Sequence, residues 1–113
     1  MPSQRDLASI WDMIQAIQYI QAFTQDYSFQ TYLEDIRTTS AVERQFEILG
    51  EAGNRISSEF QQQHPEINWR QIIGLRNIVA HRYDAVDHDV LWRIIQTNLT
   101  PLLAQLHNII QSD

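Results

Sequence analysis

The sequence predicts an all-α fold: an antiparallel helical bundle of four main helices plus a short helix, in a single domain over 1–113. Three observations predict it. Apolar residues recur at three- and four-residue spacing through most of the chain. Chain-breaking residues are sparse, with 3 glycines and 3 prolines in 113 residues, so helices are interrupted in few places. No stretch reads convincingly as a strand, and no dipeptide marks a hairpin turn.

The first helix is expected from about Ser3 to Thr24. Its stripe is Leu7, Ile10, Trp11, Ile14 and Ile17 with Gln18 and Gln21, broadened by Ile20 and Phe23. Ser3 followed by Asp6 resembles a capping box with a shorter acid. Asp26-Tyr27-Ser28 breaks the pattern, and Ser28 caps a short helix carrying Phe29, Tyr32, Leu33 and Ile36. A long helix then spans about Thr39 to Gln62, with Val42, Phe46, Leu49, Ala52, Gly53, Ile56 and Phe60 on one face. "QQQHPEIN" ends it, because Pro65 disfavours helical geometry at His64. Asn68, with Gln71 three residues on, reads as the next N-cap. The helix it opens carries Trp69, Ile72, Ile73, Leu75 and Val79. "YDAVD" is a connection. Asp87 caps the last helix, whose stripe runs from Val90 and Leu91 to Ile109 and Ile110. Pro101 lies inside it, so a kink is expected there. Stripes this wide, with Trp11 and Trp92 expected at the surface, leave two readings. Either one core absorbs them, or a second copy of the chain covers an apolar face.

Composition narrows the function classes. A chain of this length can bury roughly two-thirds of the surface it exposes when unfolded. There is no cysteine, which excludes disulfides, zinc–thiolate sites and cysteine nucleophiles. The opening "MPSQRDLASIWDMIQ" has polar residues every few positions, unlike a signal peptide or a membrane span. A cytoplasmic location is expected. The net charge is −6 and every one of the 8 basic residues is an arginine. An acidic chain is a poor generic nucleic-acid binder, since phosphate affinity comes mainly from clustered cations. Chemistry on nucleic acid would therefore be local or shared with a partner.

The segment "RNIVAHRY", residues 76–83, concentrates polar groups beside an apolar anchor. Arg76 offers a planar, permanently charged fork for phosphate. His81 moves protons near neutral pH. Together they meet the minimum for metal-free RNA cleavage. That reaction removes a proton from the ribose 2′-OH, returns one to the leaving 5′-oxygen and stabilises charge on phosphorus. Spacing complicates the pair. Five residues on an ideal helix turn about 140°, so Arg76 and His81 face different ways, whereas Asn77 and His81 share a face. The helix unwinds near Ala80, or the site is assembled across a dimer, or the pair is an ordinary helix end with a histidine that suits the helix dipole. Tyr83 is either a modifiable phenol or a ring packed over a helix terminus.

Two further motifs stand out. In "GEAG", residues 50–53, two glycines three apart sit in a helix where each costs roughly 1 kcal/mol against alanine. They let another helix approach closely. Glu51 would then project toward that neighbour, or pair with Arg55 on the surface. In "DHD", residues 87–89, His88 lies between two acids, but consecutive residues at a helix start cannot all face one ion. No metal site is expected there, and His64 and His107 have no constellation around them.

"GLRNIVAHRYDAVDHDVLW", with "EILGEA" upstream, "INWRQI" just before it and "L-x-P-L-L" near the end, resembles the HepT-like toxins of the HEPN superfamily over nearly the whole chain. An R-x4-H spacing alone would be weak; R-N-x3-H-x-Y in register with the G-E-A helix is specific. The resemblance implies a metal-independent ribonuclease that acts as a homodimer, with the Arg–His motifs approaching across the interface. It implies that Arg76 and His81 are catalytic, that Asn77 and Glu51 support them, and that Arg82 contacts RNA phosphate. It further implies that Tyr83 receives AMP from ATP by the action of a minimal nucleotidyltransferase antitoxin. Mg2+ and ATP belong to that partner, and this chain has no cofactor of its own. The other reading of the motif is a non-catalytic helical subunit that presents a nucleotide or substrate to a nucleotidyltransferase. A purely structural dimerisation bundle is a third.

Overall fold

The computed structural model describes residues 3–79 and 86–112, which form seven helices and no strand. α1 (Gln4–Thr24) begins where Ser3 Oγ accepts from the Asp6 amide at 3.0 Å. The carboxylate of Asp6 does not close a reciprocal box. It crosses the bundle and accepts from the amide and hydroxyl of Ser57, both at 2.8 Å. α2 (Phe29–Glu34) has the expected Ser28 cap, completed as a box by Thr31. Asp35 ends α2 and caps α3 (Ile36–Arg55) through the amides of Arg37 and Thr38. Tyr27 donates to the same carboxylate at 2.6 Å, and this bond, with those from Thr38 and Arg37, holds Asp35 below its usual pKa. Ile36 therefore starts α3 instead of extending the short helix, and stands exposed.

The long helix expected over 39–62 is two helices. α3 stops at Arg55, Ile56 takes an extended conformation, and α4 (Ser58–Gln63) starts anew from the Ser57 cap. Ser57 explains the break: its hydroxyl caps Phe60 while its amide is held by Asp6, 51 residues away. Ile56 and Phe60 are both buried, so the apolar stripe runs unbroken across a broken backbone.

α5 (Trp69–Val79) starts at Asn68, whose side chain accepts from the Gln71 amide at 3.1 Å. Trp69 seals that entry by donating its indole N–H to the His64 carbonyl at 3.0 Å. α6 (His88–Thr97) is capped by Asp87. The C-terminal helix expected to kink at Pro101 is also two pieces, separated at Asn98 from α7 (Leu99–Ser112). Pro101 has no N–H to give to the carbonyl four residues back, and the interruption falls just ahead of it.

Cross-links fix the topology. Asp6 meets Ser57 and Asp12 meets Arg55 at 3.0 Å, so α1 and α3 run antiparallel. α5 lies along α3 in the opposite sense, α7 lies along α1, and α2 leans on α3. The fully enclosed side chains include Ile10, Met13, Ile14, Ile17, Ile20, Tyr32, Val42, Phe46, Leu49, Leu91, Leu99 and Leu106. Trp92, expected at the surface, is instead partly buried on Phe29 and Tyr32, with ring centroids 5.8 and 5.1 Å away. Trp11 is 52% exposed and lies off the buried stripe of α1. Among the described residues no helix is long and apolar enough to cross a membrane.

Candidate active site

The two glycines of α3 decide where α5 can lie. A Cβ on Gly50 would stand 2.8 Å from Arg76 Cγ and 3.2 Å from both the Arg76 amide nitrogen and the Ile72 carbonyl oxygen. A Cβ on Gly53 would stand 2.7 Å from Ile72 Cγ2. The close approach expected of "GEAG" is therefore made to α5, at the turn carrying Arg76. Ile72 and Leu75 bury the other side of that turn. Between them, these contacts fix the backbone from which Arg76 projects.

Arg76 itself is exposed in the last turn of α5, as is Asn77. Glu51, next to Gly50, is partly buried. Neither Arg76 nor Glu51 has an ion pair among the described residues, and the Glu51–Arg55 surface pair is replaced by Arg55–Asp12. A guanidinium at the end of a helix, with its aliphatic stem against a glycine and its head in solvent, suits capture of an external anion. His81, Arg82 and Tyr83 lie outside the described residues, and so does any convergence of Arg76 with His81. The apolar cavity of about 150 Å³ beside Leu49, Ile72, Leu75 and Leu99 includes none of Glu51, Arg76 or Asn77.

Sequence reasoning missed one polar cluster. His88 Nδ1 lies 2.7 Å from the Tyr32 hydroxyl, and Nε2 lies 3.1 Å from Glu43 Oε2. Burial, followed by the charge of Glu43, pushes the Tyr32 phenol well above its usual pKa. The available signal was a charged residue, Glu43, at the edge of the α3 core stripe beside Val42. A tyrosine in the middle of a core stripe, which needs a partner for its hydroxyl, was a second. The "DHD" triplet does not act together: Asp87 caps α6 while His88 turns inward. Among the described residues no three His, Asp or Glu side chains are grouped to hold a metal ion.

The family model described as "Ribonuclease HepT-like" matches residues 13–109, from the middle of α1 almost to the end of α7. The chain belongs to the ribonuclease HepT-like family. Similar proteins include "Probable ribonuclease HepT" of Thermococcus cleftensis, 36% identical over 98 residues that cover 87% of this chain and 89% of that one. A Methanocaldococcus jannaschii protein named "Putative RNase" is 32% identical over 98 residues, covering 86% and 90% of the two chains. Another of that name from the same organism is 27% identical over 111 residues, 98% of this chain and 92% of its own length. No solved structure matches. As a HepT-like protein the chain is a ribonuclease-type enzyme, built as an all-helical fold with no strand among the described residues.

Proposed function

We propose that this HepT-like chain is a metal-independent RNase toxin of a type II HEPN/MNT toxin–antitoxin module, cleaving RNA as a homodimer. The observation that carries the reading is the placement of Arg76. It is an exposed, unpaired cation among the described residues, on a helix turn held against Gly50, in a chain of the ribonuclease HepT-like family. Arg76 grips the scissile phosphate and stabilises the charge that builds on it. His81 transfers protons. The 2′-oxygen loses its proton and bonds to phosphorus, the bond from phosphorus to the 5′-oxygen breaks, and that oxygen takes up a proton. A cyclic phosphate and a free 5′-hydroxyl result. A single histidine in one protonation state performs one of the two transfers. Two copies of His81, one per subunit, supply both, which is the chemical argument for a dimer. Asn77 and Glu51 orient the arginine, and Arg82 adds a phosphate contact.

Control falls to Tyr83, two residues beyond His81. A minimal nucleotidyltransferase antitoxin attaches AMP from ATP to its oxygen, using Mg2+ of its own. The added phosphate and base compete with RNA for Arg76 and Arg82 and fill the site. Purified unmodified protein should cleave RNA in EDTA, and Arg76→Ala or His81→Ala should abolish cleavage. Persistence of activity in both variants, or its loss on chelation, overturns the assignment. Intact-mass measurement after co-expression with the neighbouring nucleotidyltransferase should show AMP on Tyr83; an unmodified chain beside an active partner refutes the switch.

A further inference from the structure

Of the described histidines, only His88 is held on both ring nitrogens, and it is the first residue of α6. One proton arrangement satisfies all three groups with a neutral ring: the Tyr32 O–H donates to Nδ1, and Nε2–H donates to the Glu43 carboxylate. Tyr32 is completely enclosed and keeps its proton, so it remains a donor. Its ring also meets the imidazole edge-on at 5.3 Å and lies on Trp92. The cluster thus joins α2, α3 and α6. Glu43 is also partly open to the surface. With Val79, the last residue of α5, it lines a surface groove of about 230 Å³. The end of α5 thus lines the same groove as Glu43, while the start of α6 bonds the Glu43 carboxylate directly. The residues between those two points include His81, Arg82 and Tyr83.

We propose that Tyr32, Glu43 and His88 are positioning residues: a clamp that fixes the start of α6 on α2 and α3 and, through that anchor, acts on the activity of the motif that lies just upstream in the chain. None of the three contacts RNA. Their effect is on the geometry of the step, and its kinetic consequence rests on the ribonuclease reading above. An imidazole bonded at both ring nitrogens suits this task. It is rigid, it spans two elements, and its donor and acceptor are fixed by different partners.

The test uses the full-length chain and the variants Glu43→Ala, Glu43→Gln, His88→Asn and Tyr32→Phe, with Glu59→Ala, an exposed residue of α4, as control. Cleavage of an RNA oligonucleotide, melting temperature and the amide NMR signals of 80–87 are measured for each. Glu43→Ala and His88→Asn should lower kcat about tenfold or more with little change in KM, since misplacing a catalytic group by about 1 Å costs up to ~100-fold. Glu43→Gln, whose amide oxygen still accepts from Nε2–H, should recover most of that loss. The 80–87 amide signals should move in the damaged variants and stay fixed in the control. Lower melting temperature with unchanged kcat and unchanged 80–87 signals would overturn the clamp. If wild type cleaves no RNA, the ribonuclease reading falls, and the amide signals alone decide the clamp. Tyr32→Phe removes only a hydroxyl, so it supplies the same comparison if an alanine variant fails to fold.

Discussion

Arg76 Cγ occupies the space that a side chain on Gly50 would need, 2.8 Å from where its Cβ would be. Backbone atoms of Arg76 and Ile72 close the same space at 3.2 Å, so a rotamer change alone cannot relieve the clash. Gly50→Ala gains about 1 kcal/mol of helix propensity but incurs an overpacking cost of about 1–3 kcal/mol. The expected net result is a lower melting temperature and weaker RNA cleavage, because the strain falls on the turn bearing the arginine. Gly74 supplies the contrast: among the described residues nothing lies within 4 Å of its Cβ position. Gly74→Ala should therefore stabilise the protein by about 0.5–1 kcal/mol. Thermal unfolding of both variants checks the pair, and a stabilised Gly50→Ala would show that the helices have room to separate.

The Asp6–Ser57 link predicts a second cost. Asp6 is 4% exposed and accepts two hydrogen bonds from Ser57. Asp6→Ala leaves the Ser57 amide and hydroxyl without that partner at the break between α3 and α4. Losing a charge-assisted pair of this kind costs about 2 kcal/mol. Asp6→Asn keeps one acceptor oxygen and should recover part of it. Urea unfolding measures both; an Asp6→Ala variant as stable as wild type would mean that water replaces the carboxylate.

These two contacts mark how far the sequence was legible. Local signals identified the Ser28, Asn68 and Asp87 caps, the core stripes and the close-packing role of Gly50 and Gly53, because each is written within four residues. The break at Ser57 was not legible, since its cause is an aspartate 51 residues away and the stripe from Ile56 to Phe60 continues through it. Glu43 and His88 were missed for the same reason: their partnership joins helices distant in sequence. Arg76 was found by its motif, but what holds it was readable only once α3 and α5 were seen side by side.

Tyr32 carries a pH prediction with a definite sign. Its phenol is raised above the usual value of 10.0 by burial and by Glu43. The folded state therefore holds the proton at pH values where the unfolded chain has released it. This contribution to stability is fully present below pH 10 and is lost as pH rises from there through the higher folded value. The stability difference between wild type and Tyr32→Phe should hold steady below about pH 10 and shift against wild type above it. A constant gap at all pH values would mean that the phenol ionises in the folded state as freely as in water.

Arg76 should separate stability from activity. Its guanidinium is exposed and has no ion pair among the described residues, so Arg76→Ala should change folding stability by less than about 0.5 kcal/mol. On the ribonuclease reading, the same substitution removes the group that stabilises charge at phosphorus, and cleavage should fall by at least ~100-fold. Arg76→Lys discriminates further. Lysine keeps the charge but offers a point cation where arginine offers a fork, so activity should be intermediate with KM less affected than kcat. Equal activity in Arg76→Lys and wild type would mean that the site needs only positive charge. A large stability loss in Arg76→Ala would mean that the contact of its stem with Gly50 matters more to the fold than its head does to RNA.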